Sequence, residues 1–311
     1  EIRGQMIAQS KRLVASINTA QETPPRATTA FGAAIINYNP GNNHVSLTIS
    51  LYNFSNTLTA SHFHEGAVGV AGPVVHGLGA EAVYTRNGNF IGGTFSNMTY
   101  TGNPITLLTG GAYLNFHSNI YGGGEIRGQV LPSQELPSSR MVDSSARGFV
   151  GTGNQVLIQG VSLTGSEPVR MLLTARGTSL SNYGVTGVLT ATQLSLFDPN
   201  GALMVTNSNA SSTFDAATVA GYTYGPTSST EAALLVVLPP GSYTTVTNGI
   251  NGATGIALTE AYDVRFTDPN QGVQVSALLP LASPLKKSSQ TRVFEICGLP
   301  PAPAKASRIT Q

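Results

Sequence analysis

The sequence predicts an all-β protein of two β-sandwich domains, preceded by one extra strand and followed by an extended tail. Three observations carry this reading. Short apolar–polar alternations recur along the chain, and helical periodicity is absent between them. Turn signals separate the alternating runs: Asn39-Pro40-Gly41-Asn42, Asn87-Gly88, Gly122-Gly123-Gly124, Asp198-Pro199-Asn200-Gly201 and Pro239-Pro240-Gly241. Only 10% of residues are charged while 41% are hydrophobic, so cores can form and the surface falls to Ser, Thr, Asn and Gly.

The first element, Glu1-Ile2-Arg3-Gly4-Gln5-Met6-Ile7, recurs as Glu125-Ile126-Arg127-Gly128-Gln129-Val130-Leu131. The second copy closes a run of strands and the first has none before it. Residues 1–11 therefore read as a strand left from a preceding repeat, or one donated to a neighbouring sheet. Residues 12–131 form the first sandwich, with strands at Phe31–Tyr38, Val45–Tyr52, Leu58–His64, Ala112–His117 and Glu125–Leu131. Residues 132–143 are a Pro/Ser-rich linker. Residues 144–266 form the second sandwich, with strands at Gln155–Leu163, Val169–Ala175, Thr192–Phe197, Ala202–Thr206, Glu231–Leu238, Ser242–Thr247 and Gly255–Val264. Residues 267–311 hold a last strand, Arg292–Cys297, and a Pro/Ala-rich tail.

Charge and cysteine usage exclude several classes. The net charge of +1 gives no broad electrostatic footprint for nucleic acid or an anionic membrane. The four lysines are Lys11, Lys286, Lys287 and Lys305, so the body of the chain lacks the edge lysines that normally discourage strand pairing between molecules. The expected partner is a second copy of the chain, the alternative being an ordinary secreted surface shielded by polar uncharged groups. Cys297 is the only cysteine, so no intrachain disulfide can form. No apolar run approaches the ~20 residues of a membrane helix. The chain opens on Glu1-Ile2-Arg3, which reads as a mature or excised product of an exported protein whose signal peptide is absent.

Three motifs in order give residues 12–131 a family likeness: Ala20-Gln21-Glu22-Thr23-Pro24-Pro25, Ser61-His62-Phe63-His64-Glu65-Gly66, and Asn115-Phe116-His117 leading into Gly123-Gly124-Glu125-Ile126-Arg127-Gly128-Gln129. This stretch resembles the chordin-type (CHRD) domain of extracellular proteins, animal and bacterial. The likeness implies a β-sandwich distantly similar to Cu/Zn superoxide dismutase. The stretches Ala146–Gly153, Leu196–Gly201 and Pro240–Tyr243 resemble a second module, a jelly-roll or Ig-like sandwich of secreted bacterial proteins, which implies location and a structural role only.

The histidines carry the chemistry. Alternate residues of a strand share a face, so His62 and His64 point one way and Phe63 the other. Tyr113, Asn115 and His117 likewise share a face opposite Leu114 and Phe116. With Phe63, Leu114 and Phe116 in the core, two neighbouring strands bring His62, His64 and His117 together on the outer face. Two imidazoles about 7 Å apart at their Cα atoms can chelate one ion, and copper heads the divalent affinity order for such ligands, with zinc the alternative. His76, in an expected loop after Gly72-Pro73, is a candidate fourth ligand. Glu65, Glu125 and Arg127 are candidates to orient the histidines. Ser61–Gly66 also resembles the copper strand of Cu/Zn superoxide dismutase, although no zinc loop or bridging aspartate accompanies it. Calcium is a weaker expectation from Asp198, Asn200, Asn207, Asn209 and Asp215, which ordinary turn chemistry also explains. No hydrolase elbow, phosphate loop or dinucleotide fingerprint is present.

These readings combine into a secreted structural protein that self-assembles by donating Glu1–Ile7 and holds copper in its first domain. The alternatives are a monomeric copper-binding or superoxide-type redox protein, and an extracellular adhesion or matrix-binding module at the cell surface.

Overall fold

The computed structural model describes residues 9–134, 143–226 and 228–265. The repeat strand Glu1–Ile7, most of the expected linker and the tail with Cys297 lie outside them. Among the described residues the protein is all-β, apart from two helices of five and six residues and short 3-10 turns. No helix among these residues is long and apolar enough to cross a membrane.

Nine strands make the first sheet: β1 (Lys11–Asn18), β2 (Phe31–Asn39), β3 (His44–Tyr52), β4 (Leu58–Glu65), β5 (Val74–Gly79), β6 (Thr85–Asn87), β7 (Phe90–Thr99), β8 (Ala112–Ser118) and β9 (Ile126–Pro132). They pair in the order β5-β4-β8-β9-β1-β2-β3-β7-β6, each neighbouring pair antiparallel. The sheet stays open at β5 and β6 and curls around one apolar core. Leu13, Ile17, Ile36, Leu47, Ile49, Phe63, Leu114, Phe116 and Val130 fill that core from alternate positions of six strands.

The β2–β3 hairpin shows how local chemistry sets register. Asn39 and Asn42 side chains accept from the N–H groups of Gly41 and His44, and Asn43 takes a positive φ of 57° that closes the turn. Leu47, Ile49 and Leu51 then face the core, while Thr48, Ser50 and Tyr52 face outward. The outward residues are buried too, because a strand from the second half lies over them.

That half begins with β10 (Asp143–Val150), β11 (Leu157–Leu163), β12 (Val169–Arg176), β13 (Thr192–Phe197) and β14 (Leu203–Asn207). It ends with β15 (Ala232–Leu238), β16 (Gly241–Gly249) and β17 (Gly255–Asp263). Two four-stranded sheets result, β10-β17-β12-β15 and β11-β16-β13-β14. Their facing residues, among them Met171, Leu173, Leu194, Leu196, Leu234 and Val236, share one core with Tyr52 and Phe90 of the first sheet. β15 is an apolar run buried at every position. It caps β2 and β3: the Val237 N–H donates to Ser50 Oγ and its carbonyl accepts from the Tyr52 hydroxyl.

The all-β class stands, but two discrete sandwiches do not describe the arrangement. The first nine strands form one open half-barrel rather than two facing sheets, and β15 covers the β2–β3 part of its outer face. Strands also occupy stretches that alternation did not single out. These are β1, β5, β6, the glycine-bearing β7, and β10, which starts at the last residue of the expected linker.

Candidate metal centre

β4 and β8 pair directly, with His62 opposite Asn115 and His64 opposite Tyr113. A register shift between Leu58 and Ala60 sets His117 opposite Ala60, one step diagonal from His62. Phe63, Leu114 and Phe116 point into the core, so the three histidines share the other face. Their rings gather closely: centroids lie 5.1 Å apart for His62–His117, 5.7 Å for His62–His64 and 6.1 Å for His64–His117.

Two backbone carbonyls orient the set. His64 Nδ1 lies 2.9 Å from the Gly72 carbonyl and His117 Nδ1 lies 3.0 Å from that of Gly122. A carbonyl only accepts, so both Nδ1 atoms carry the proton and both Nε2 atoms present lone pairs. Nε2 of His64 and of His117, and Nδ1 of His62, are buried without any hydrogen-bond partner. One nitrogen from each histidine falls within 4.8 Å of the others. Ligands on one ion at ~2.0–2.1 Å sit roughly 3.4 Å apart, so the cluster needs to close by at most about 1.4 Å. Burial is the main cause that lowers the pKa of His62 and of His64 below 6.5, and repulsion from neighbouring rings adds to it. Neutral imidazoles with free lone pairs are the protonation state a metal requires. The residues present therefore fit a metal ion.

The surroundings are a polar core rather than open solvent. The loop 66–73 folds back over the site, and Gly72 allows it: a Cβ there would sit 1.5 Å from the Glu65 carbonyl oxygen. The Gly72 N–H donates to the Tyr113 hydroxyl at 3.0 Å, and the Tyr113 ring stacks on His64 at 4.8 Å. Arg127, on the far side of Tyr113's strand, holds the same loop by donating to the carbonyls of Val70 and Ala67. Its guanidinium carbon sits 3.4 Å from the Tyr113 ring centre. Gln129 accepts from Arg127 and donates to the carbonyls of Gly66, Gly110 and Ala112.

The other expected site residues stand elsewhere. His76 is in strand β5 rather than a loop; its ring packs on Phe63 and Tyr100, and Nδ1 lies 3.0 Å from Thr101 Oγ1. It faces the core side and does not join the three. Glu65 also turns away from them and accepts from the Asn103 N–H. Glu125 is fully buried but accepts from Thr28 and Asn56 rather than from Arg127. Of the three orienting candidates, Arg127 alone reaches the histidine surroundings, through Tyr113 and the loop. The oxygen donors considered for calcium serve turns instead: Asp198 accepts from the N–H groups of Asn200 and Ala202, and Asn207 and Asn209 act likewise. Asp215 pairs with Arg170.

Sequence reasoning missed Glu22. It is 5% exposed, its Oε1 has no hydrogen-bond partner, and burial raises its pKa against the opposing charges of Arg26 and Arg127. Its Oε1 and the unpartnered Oδ1 of Asn115 flank the same spot above Gly124, whose positive φ of 118° keeps a side chain out. An acidic residue before a Thr-Pro-Pro turn carries no signal of burial, so only the fold reveals it.

Residues 13–130 match the family model of the CHRD domain, so a CHRD domain is present and it contains the whole histidine cluster. No curated protein sequence matches the chain.

Proposed function

We propose that this is an extracellular protein whose CHRD domain binds a metal ion, copper before zinc, through His62, His64 and His117. One observation carries the reading: three imidazole nitrogens, two with tautomers set by carbonyls, converge within 4.8 Å with no other partner. Copper is favoured because an all-imidazole set follows the affinity order that peaks at copper. The ion's role is to join β4 to β8 and to fix the two loops that orient the ligands, which makes it structural before it is catalytic. Titration of metal-free protein with copper and zinc, followed by elemental analysis, tests this. One ion per chain is expected, lost in the His62→Ala/His64→Ala variant. Equal uptake by wild type and variant would end the reading.

A second reading, self-assembly, is favoured by a separate observation. Strands β10 and β11 are open edges carrying Phe149 and Ile158, which are 60% and 65% exposed. Lys11 is the one lysine among the described residues, so these edges lack that protection. The partner that fits is a second copy of the chain, supplying the strand Glu1–Ile7. Negative-stain microscopy and sedimentation, with and without residues 1–7, test this. Polymers that need residues 1–7 are expected, and monomers from both chains would overturn it.

A further inference from the structure

The charge beside the histidines is as informative as the histidines themselves. Every donor of the cluster is a neutral imidazole, and no Asp, Glu or Cys joins it among the described residues. Arg127, 2% exposed, supplies a fixed positive charge instead. Its nitrogens bond to the carbonyls of Val70 and Ala67 and to the Gln129 amide oxygen, all neutral acceptors. Glu22, the carboxyl whose charge it feels, accepts none of these bonds.

We propose that Arg127 sets the charge of the ion this site accepts, so that the three histidines select monovalent copper, Cu(I), over divalent copper and zinc. The proposal rests on the metal-binding reading above and specifies its substrate. The spacings of 3.4 Å from guanidinium carbon to Tyr113 and 4.8 Å from Tyr113 to His64 put the charge at most about 8 Å from the His64 ring. At an effective dielectric of ~20, a charge at about 8 Å weakens binding on the order of thirtyfold, and at about 11 Å, with the ion beyond the ring, on the order of tenfold, for each unit of charge on the ion. A divalent ion bears that penalty twice and Cu(I) once. Coordination number points the same way. Cu(I) is satisfied by three nitrogens, whereas zinc and Cu(II) seek a fourth ligand or more, and His76 and Glu65 both face away.

The test is competition against chromogenic chelators, run with Cu(I) under reducing anaerobic conditions and with Cu(II) and Zn(II) in air. Wild type should hold Cu(I) more tightly than Cu(II) and Zn(II). Arg127→Gln should shift the Cu(I)/Cu(II) affinity ratio about tenfold toward the divalent ion, and Arg127→Lys, which keeps the charge, should shift it less. A ratio unchanged in a folded Arg127→Gln protein overturns the proposal. Should that variant fail to fold, wild type decides alone: Cu(II) held as tightly as Cu(I) overturns it. Binding of no ion by wild type would instead mark the failure of the metal reading itself.

Discussion

Val237 is one of the places where the two halves of the protein are hydrogen-bonded, beside Asn87–Thr206 and Thr94–Asp215, and removing its partners should loosen both halves together. As an edge-strand residue it has no further strand beyond it, and Ser50 and Tyr52 stand in for one, at 3.0 Å and 2.9 Å. All three residues are 0% exposed, so water cannot replace either bond. Ser50→Ala leaves a buried N–H without an acceptor, a loss of about 2 kcal/mol. Tyr52→Phe keeps the ring stacked on Phe31 at 5.1 Å and near Phe90 at 5.5 Å, and removes only the hydroxyl, about 1 kcal/mol. Because both bonds end on one residue, the double variant should depart from additivity. The chain has no tryptophan, so far-ultraviolet circular dichroism and calorimetry follow unfolding. One transition is expected in wild type, moving as a whole by roughly 4–8 °C in Ser50→Ala, at about 2–4 °C per kcal/mol. Two wild-type transitions, of which only one responds, would refute the reasoning. So would a Ser50→Ala protein with unchanged stability.

The remaining predictions concern the site and one buried carboxylate. Gly72→Ala, which alters no ligand, should abolish metal uptake, because its Cβ cannot fit against Glu65 and the carbonyl that orients His64 must move; full uptake by this variant would contradict the tautomer argument. Metal-free protein should lose stability as pH falls from 7 toward 5. His62 and His64 resist protons when folded and accept them near pH 6.5 when unfolded, so the unfolded chain binds more protons in acid. Melting temperatures across that range should fall less in His62→Ala/His64→Ala, and parallel curves would reject the cause. Glu231, fully buried, accepts from the N–H groups of Gly177 and Ser179 at 2.8 Å each. Glu231→Ala should cost roughly 3 kcal/mol by urea titration, since two buried donors lose their acceptor.

Much of the fold was legible because half-buried strands announce themselves. Phe31–Tyr38, Leu58–His64 and Thr192–Phe197 fall within a residue of the observed strands. Strand β7 was not, since Gly92 and Gly93 erase its alternation; they are there because Phe214 and Tyr84 pack where side chains would be. The covering of β2 and β3 was also hidden. Ala33, Ile35 and Val237 form a small apolar cluster between the halves, and nothing in the strand Phe31–Tyr38 as read from sequence marks the first two as meeting Val237. For the site, parity along two strands was enough to unite His62, His64 and His117. The same parity could not place His76, because β5 is joined to β4 through register shifts that no sequence pattern marks. Nor could it show that the loop 66–73 folds over the outer face beside His64, which depends on long-range bonds from Arg127 and Gln129.

The carbonyl bonds of Gly72 and Gly122 have a consequence for whatever meets this surface. Val68 and Val70 stand exposed on the loop that ends at Gly72, and Ile120 stands exposed on the turn that leads to Gly122. A partner that displaced either apolar tip would also displace a carbonyl that orients an imidazole. In the proposed metal-bound form, ion and contact would then be linked, and any effect of one on the other would be reciprocal.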